Sequence, residues 1–421
     1  MSKHVKRWLA LVVLTTLLLT LVFAGQGMAK EKLSKTEQLG ELLYFDENLS
    51  EPAGQACASC HLPEVGFDDP ESHLPVSEGV VSGLFGGRNS PASAYAMYAP
   101  TRYFDPAEGL WIGGQFWDSR ATGDVLGDAL ADQALGPFLN PVEMANASKA
   151  QVVNDAKNGA YGALFDKVCG GGKVSNPKYV EKAYDCIAES IAAFERTELF
   201  GQFNSKYDAY LQACLMAGGL PDDCAMGIGP EAEMAGAIFT TGEWDGLQLF
   251  MGDLNDNDGV LEEGEGAACV LCHVANFTPA AKNVVVPNWS PKDLVPPVFT
   301  DFTYDNLGMP VNPEIAALAG PQPTDLGLGA VVGDAAEDGK FKVMTLRNIG
   351  LTKPYAHNGF FKNLKDITHF YSTRDVEDEG WPAPEVPGTV NKDELGNLGL
   401  SDKEEDLLVK FMMTLSDGWT P

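Results

Sequence analysis

The sequence predicts a mainly α-helical protein with long loops, organised as two domains. Three observations carry this. Apolar residues recur at helical spacing in several segments, strand signals are few and short, and the motif C-x-x-C-H occurs once in each half of the chain. The 421 residues are 45% hydrophobic and 21% charged, ordinary for globular protein and enough for two or three cores. The net charge is −30, from 29 basic against 59 acidic residues, which argues against nucleic acid or an anionic membrane surface as partner. A basic protein or a small neutral substrate is compatible with it. The acidic residues are spread along the chain, so disorder is not implied.

The elements follow in order. Residues 1–29 have the form of an export signal: Lys3, Lys6 and Arg7 precede an apolar stretch from Trp8 to Ala24, then Gly27-Met28-Ala29 offers a small-residue cleavage site. An uncleaved anchor is the alternative, and the only membrane contact the sequence suggests. Ser34-Lys35-Thr36-Glu37 is a capping box ahead of Leu39, Leu42 and Leu43, so a helix leads to the first C-x-x-C-H. Residues 62–115 are rich in Gly, Pro and Ser with little periodicity, as expected of loops over a cofactor. Val180, Tyr184, Ile187, Ile191 and Phe194 step as an amphipathic helix, and a domain boundary is expected near 200–205. The segment 212–242 resembles an insertion. Ser401-Asp402-Lys403-Glu404 caps a last helix carrying Leu407, Leu408, Phe411 and Leu415.

Cys57-Ala58-Ser59-Cys60-His61 and Cys269-Val270-Leu271-Cys272-His273 are the two motifs. From the counts of Cys and His, about 0.002 such motifs are expected by chance. Two thiols three positions apart can form thioethers to the two vinyl groups of one haem, and the adjacent histidine supplies an iron ligand. Two covalently bound haem c groups follow, one in each of two cytochrome-c-like domains, 30–203 and 204–421. A shared zinc site or vicinal disulfides would use the same cysteines, but c-type attachment fits the export segment better. Of the other four cysteines, an oxidising compartment favours the neighbour pairs Cys169–Cys186 and Cys214–Cys224, one of three possible connectivities.

Over nearly all of 34–416 the chain resembles the bacterial di-haem cytochrome c peroxidases and their MauG-like relatives. The carriers are Leu43-Tyr44-Phe45-Asp46, Arg88-Asn89-Ser90-Pro91, Gln115-Phe116-Trp117-Asp118-Ser119-Arg120, and the run from Gln133 to Met144 (QALGPFLNPVEM). After the second haem motif come Asn306-Leu307-Gly308-Met309-Pro310 and the run from Leu346 to Gly359 (LRNIGLTKPYAHNG). The resemblance implies a peroxide-reacting N-terminal haem domain and a C-terminal electron-transfer haem domain. It implies that Glu143 is the distal acid–base group, with Gln133 as its hydrogen-bonding partner and Pro137 packed over the same face. A carboxylate there can take a proton from the inner peroxide oxygen and return it to the leaving one. The resemblance also implies that Trp117 lies between the haems as an electron relay. Asn89, Thr352 and Pro354 match an interdomain calcium site, whose oxygen donors suit a hard cation.

Two departures bear on subtype. The loop before Arg88 (Pro75 to Val81) lacks the histidine that usually holds the resting N-terminal haem; His73 is the only candidate and sits too early. Tyr371 stands where the peroxidases usually place a methionine ligand to the second haem, as in MauG-like proteins, with Met344 or Met309 as alternatives. A phenolate favours ferric and higher iron states, whereas a thioether favours ferrous iron. Separately, Asp256, Asp258, Gly259, Glu262 and Glu265 match positions of a calcium-binding loop, but position 1 is Leu254, so a solvated acidic loop is the competing reading.

The expectation is a periplasmic peroxidase that reduces hydrogen peroxide to water with electrons from a small c-type cytochrome. The alternative is a MauG-like enzyme that uses peroxide to oxidise Trp or Tyr residues of a partner protein through a high-valent di-haem state. A plain two-haem electron wire would have no use for Glu143 and Gln133. A homodimer is compatible with the sequence.

Overall fold

The computed structural model describes residues 32–252, 266–267 and 269–421. Helices take up 41% and strands 7%, which bears out the mainly α expectation. From Lys35 to Pro421 the chain forms a compact unit, within which two apolar clusters stand out. One is built from residues between Leu39 and Phe203, joined by Val295 and Val298. The other runs from Tyr207 to Leu415.

The helices are α1 Lys35–Tyr44, α2 Cys57–Cys60, α3 Ala129–Ala134, α4 Lys149–Asn158, α5 Gly162–Cys169, α6 Pro177–Glu195 and α7 Lys206–Ala217. They continue with α8 Pro221–Met226, α9 Pro230–Ala235, α10 Thr241–Met251, α11 Pro313–Ala319, α12 Leu328–Val332, α13 Leu364–Thr373 and α14 Asp402–Met413. The strands, each two or three residues long, pair as three antiparallel ribbons: β1 Tyr103–Asp105 with β2 Leu110–Ile112, β3 Thr278–Pro279 with β4 Leu294–Val295, and β5 Tyr304–Asp305 with β6 Phe341–Lys342. Residues 62–115 are largely irregular, as their composition predicts.

The same packing device occurs in each cluster. Helix α1 crosses α6, and α10 crosses α14. At the first crossing a Cβ on Gly40 would run into the Ser190 carbonyl; at the second, a Cβ on Gly246 would run into that of Leu407. Each glycine lets two helix backbones approach more closely than side chains allow. In both cases the glycine-bearing helix is the one that precedes a C-x-x-C-H motif. The reciprocal capping box at Ser401 and Glu404 starts α14 as predicted.

The disulfides join Cys169 to Cys186 and Cys214 to Cys224. The first ties the end of α5 to α6. The second ties α7 to α8 within the segment resembling an insertion, which is helical and enters the second cluster: the Tyr207 and Tyr210 hydroxyls donate to the carbonyls of Ala225 (2.6 Å) and Cys224 (2.7 Å). Residues 1–29 and the acidic positions Asp256, Asp258 and Glu265 lie outside the described residues. Among the described residues no helix is long and apolar enough to cross a membrane.

Candidate functional site

Each C-x-x-C-H motif forms one helical turn. The His61 amide donates to the Cys57 carbonyl (3.0 Å) and the His273 amide to that of Cys269 (2.9 Å). One turn brings thiols three positions apart onto a common face. In both motifs that face lines a cavity: Cys57, Cys60 and His61 one, Cys269, Cys272 and His273 the other. All four cysteines are free thiols. Burial pushes Cys60 and Cys269 up to about 12, and Cys57 and Cys272 higher still. Such thiols stay protonated and uncharged beside apolar walls.

Burial also lowers the pKa of both histidines, favouring the neutral ring an iron needs. The Nδ1 of His273 lies 3.0 Å from the Phe299 carbonyl oxygen, an arrangement that requires the proton on Nδ1 and leaves Nε2 for a metal. The Tyr44 hydroxyl donates to the His61 carbonyl (3.0 Å) and meets Ser93 Oγ at 2.9 Å, fixing the first turn to α1. Paired thiols, a neutral imidazole and an enclosing cavity suit one covalent haem in each place.

Gln133, Pro137 and Glu143 line the first cavity with the Cys57 turn. Gln133 comes from α3, whose cap Asp128 accepts from the Leu130 amide. Glu143 is fixed by Asn140, which donates to its carboxylate at 2.6 Å. Burial raises the Glu143 pKa, opposed by Arg120 and by that hydrogen bond. A carboxyl so tuned can release and recover a proton closer to neutrality than an exposed one. His73 is exposed and is not part of the cavity wall.

Trp117 faces both cavities. Its indole N–H donates to the Asn89 carbonyl (2.9 Å), and its own carbonyl accepts from the Lys342 amide (2.9 Å). The His357 ring sits edge-on to it at 6.4 Å and stacks flat on Phe341 at 3.5 Å. Neighbouring Phe116 and Ser119 both adopt positive φ (65°), so the loop holds the indole in a backbone that most sequences avoid.

Tyr371, on α13, lines the second cavity, and the proximity of Cys272 and Cys269 adds to burial in raising its pKa. Met309, Met344 and Met412 share that wall. Asn89 is buried, and its amide donates to the His357 carbonyl (2.8 Å), which ties it to the loop carrying Thr352 and Pro354.

Three features escape sequence reading. Glu195 lines the first cavity with Oε2 unpartnered among the described residues. It stands four positions after Ile191, so the α6 periodicity could have pointed to it. Lys342 is buried between the cavities, and nothing in Gly339-Lys340-Phe341-Lys342-Val343 separates it from half-buried Lys340, which pairs with Glu337 at 3.0 Å. Asp305 and Glu394 gather beside Cys272, bridged by Asn391 Nδ2 at 2.7 Å from each.

Two such turns in two cavities define a c-type oxidoreductase with a haem in each. A family profile described as "Di-haem cytochrome c peroxidase" matches residues 34–214. The chain is 34% identical to the methylamine utilization protein MauG of Paracoccus denitrificans over 398 residues, covering 90% of this chain and 88% of that one. It is 27% identical to the cytochrome c551 peroxidase of Nitrosomonas europaea, covering 76% and 68%. Among solved structures, the diheme peroxidase BthA from Burkholderia thailandensis superposes with a TM-score of 0.70 at 27% identity, covering 92% and 87%. The chain belongs to the di-haem cytochrome c peroxidase and MauG family, and is an oxidoreductase with two haem c groups.

Proposed function

We propose that the protein reduces hydrogen peroxide at the first cavity, H2O2 + 2 H+ + 2 e− giving two waters, with electrons supplied by a small c-type cytochrome. The observation that carries this is the convergence of Glu143, Gln133 and Pro137 on the Cys57–His61 cavity, with Trp117 in its wall. When bound, haem supplies an iron that accepts an open-site ligand and exchanges electrons. The chain's residues do the rest. The Glu143 carboxylate takes the proton from the inner peroxide oxygen and returns it to the leaving oxygen. Gln133 holds the substrate by hydrogen bonding, and Pro137 closes the face. Trp117, touching both cavities, carries the electrons between them.

A second reading draws the electrons from Trp or Tyr residues of a partner protein. Tyr371 in the wall of the second cavity supports it, because a phenolate ligand would store an oxidising equivalent better than a reducing one. Calcium at Asn89, Thr352 and Pro354, export by residues 1–29, and a division into haem domains at 203/204 belong to the same proposal. Two apolar clusters, the first built mainly from residues up to Phe203 and the second from residues after it, support that division. The surplus of acid suits a basic donor protein.

Replacing Glu143 by Gln tests the reading. Both haems should remain attached while peroxide turnover falls about 100-fold or more, the scale of a lost general acid–base group. Unchanged turnover would overturn the role of Glu143. Turnover with a reduced small cytochrome, against oxidation of Trp or Tyr in a partner, separates the two donors.

A further inference from the structure

The wall between the two cavities is made by Trp117 and the segment 342–345. It contains one cation, Lys342. That side chain is 6% exposed, donates from Nζ to the Gly114 carbonyl, and overlies the Phe302 ring at 5.5 Å. Phe302 lines the first cavity and not the second, so the ammonium end leans toward the first.

The other cations of the first cavity are already neutralised. Arg88 pairs with Asp118 at 2.6 Å and Asp325 at 2.7 Å, and Arg120 pairs with Asp118 at 3.0 Å. Among the described residues no carboxylate pairs with Lys342. A buried ammonium with one carbonyl and a ring for company is costly. Burial accordingly brings its pKa down to about 7. A haem carries two propionate carboxylates, and one of them close to Nζ would restore the full charge.

We propose that Lys342 is the counter-charge to a propionate of the haem held by Cys57, Cys60 and His61, and that it thereby keeps a positive charge next to Trp117. Lys342 is a positioning residue: its amide fixes the Trp117 carbonyl, and its ammonium anchors the haem edge facing the relay. A positive charge there disfavours ferric iron, so it raises the potential of the first haem more than that of the second. The inference rests on the two-haem family membership, not on which donor supplies electrons.

The test is spectroelectrochemical titration of the two-haem protein without peroxide, comparing wild type with Lys342→Met and Lys342→Arg. The first haem is recognised as the one that binds added cyanide. In Lys342→Met its ferric-to-ferrous ratio at a fixed potential should rise about ten-fold, equal to about 59 mV for one electron. The second haem should move less, and Lys342→Arg should keep the wild-type value. Potentials unchanged in Lys342→Met overturn the proposal, as does an equal shift in both variants, which would mark a purely structural role. Should Lys342→Met fail to retain two haems, Lys342→Gln gives the same reading, since it removes charge but keeps a donor. Because no peroxide is used, failure here is distinct from failure of the Glu143 test.

Discussion

Arg347 is the largest fully buried side chain and sits where the two apolar clusters meet. Its guanidinium pairs with Asp208 at 2.8 Å, both side chains being 0% exposed, and its Nε donates to the Pro297 carbonyl at 2.9 Å. Four rings surround it: Phe203 at 4.9 Å, Phe299 at 5.5 Å, and Tyr95 and Tyr207 at 5.6 Å. Tyr95 and Phe203 belong to the first cluster, Tyr207 and Phe299 to the second. Replacing Arg347 by Met keeps most of the volume and leaves Asp208 charged and buried. Breaking one side of such a pair costs about 3–5 kcal/mol. Two facts place the loss near the lower end. Asp208 keeps its bonds from the Ser205 amide (2.9 Å) and hydroxyl (2.6 Å), and the native pair already leaves Asp208 Oδ1 and Arg347 Nη2 without partners. About 3 kcal/mol is therefore expected, roughly a 100-fold change in the folded-to-unfolded ratio. The double variant Arg347→Met, Asp208→Asn should recover part of it, because the stranded charge is gone. Guanidinium unfolding of the haem-loaded protein, followed by far-ultraviolet circular dichroism, measures both. A loss under about 1 kcal/mol with Arg347→Met, or no recovery in the double variant, would refute the reasoning.

Three other outcomes are expected. Burial raises the Glu195 carboxyl to about 8, with Arg196 lowering and Asp128 raising it, while Tyr44 and Cys57 face it. The folded state therefore holds a proton the unfolded chain has lost, and stability present below about pH 4.5 declines as pH rises toward 8, by at most about 5 kcal/mol. Glu195→Gln should flatten that decline in unfolding curves taken at pH 5, 7 and 9; an unchanged slope would assign it to other groups. Gly40→Ala should destabilise by about 1–3 kcal/mol through the clash with Ser190, lowering the thermal midpoint. Tyr371→Met should create a methionine–iron charge-transfer band absent from the wild type; such a band already present in the wild type would exclude Tyr371 as ligand.

Much of the chemistry was legible in sequence because it depends on spacing along one turn or within one loop. The paired cysteines with a following histidine need only a helical turn, and the α6 stripe and the α14 cap need only local periodicity and hydrogen bonding. The family resemblance singled out Glu143, Gln133 and Trp117 as residues of interest. It took the folded chain to bring Gln133 on α3 and Glu143 in the turn ten positions later into the same cavity as a motif far upstream.

By itself, the sequence determined the helical class, the two attachment turns and the choice of cysteines left for disulfides, all set by neighbours within a few residues. Tertiary structure alone decided which helices cross at Gly40 and Gly246 and that Lys342 and Arg347 are buried. The physical reason is that burial and charge pairing are properties of what surrounds a side chain. For Lys342 the surroundings come from the segment Gly114–Trp117 and from Phe302, which are far apart in the chain and meet only when it folds.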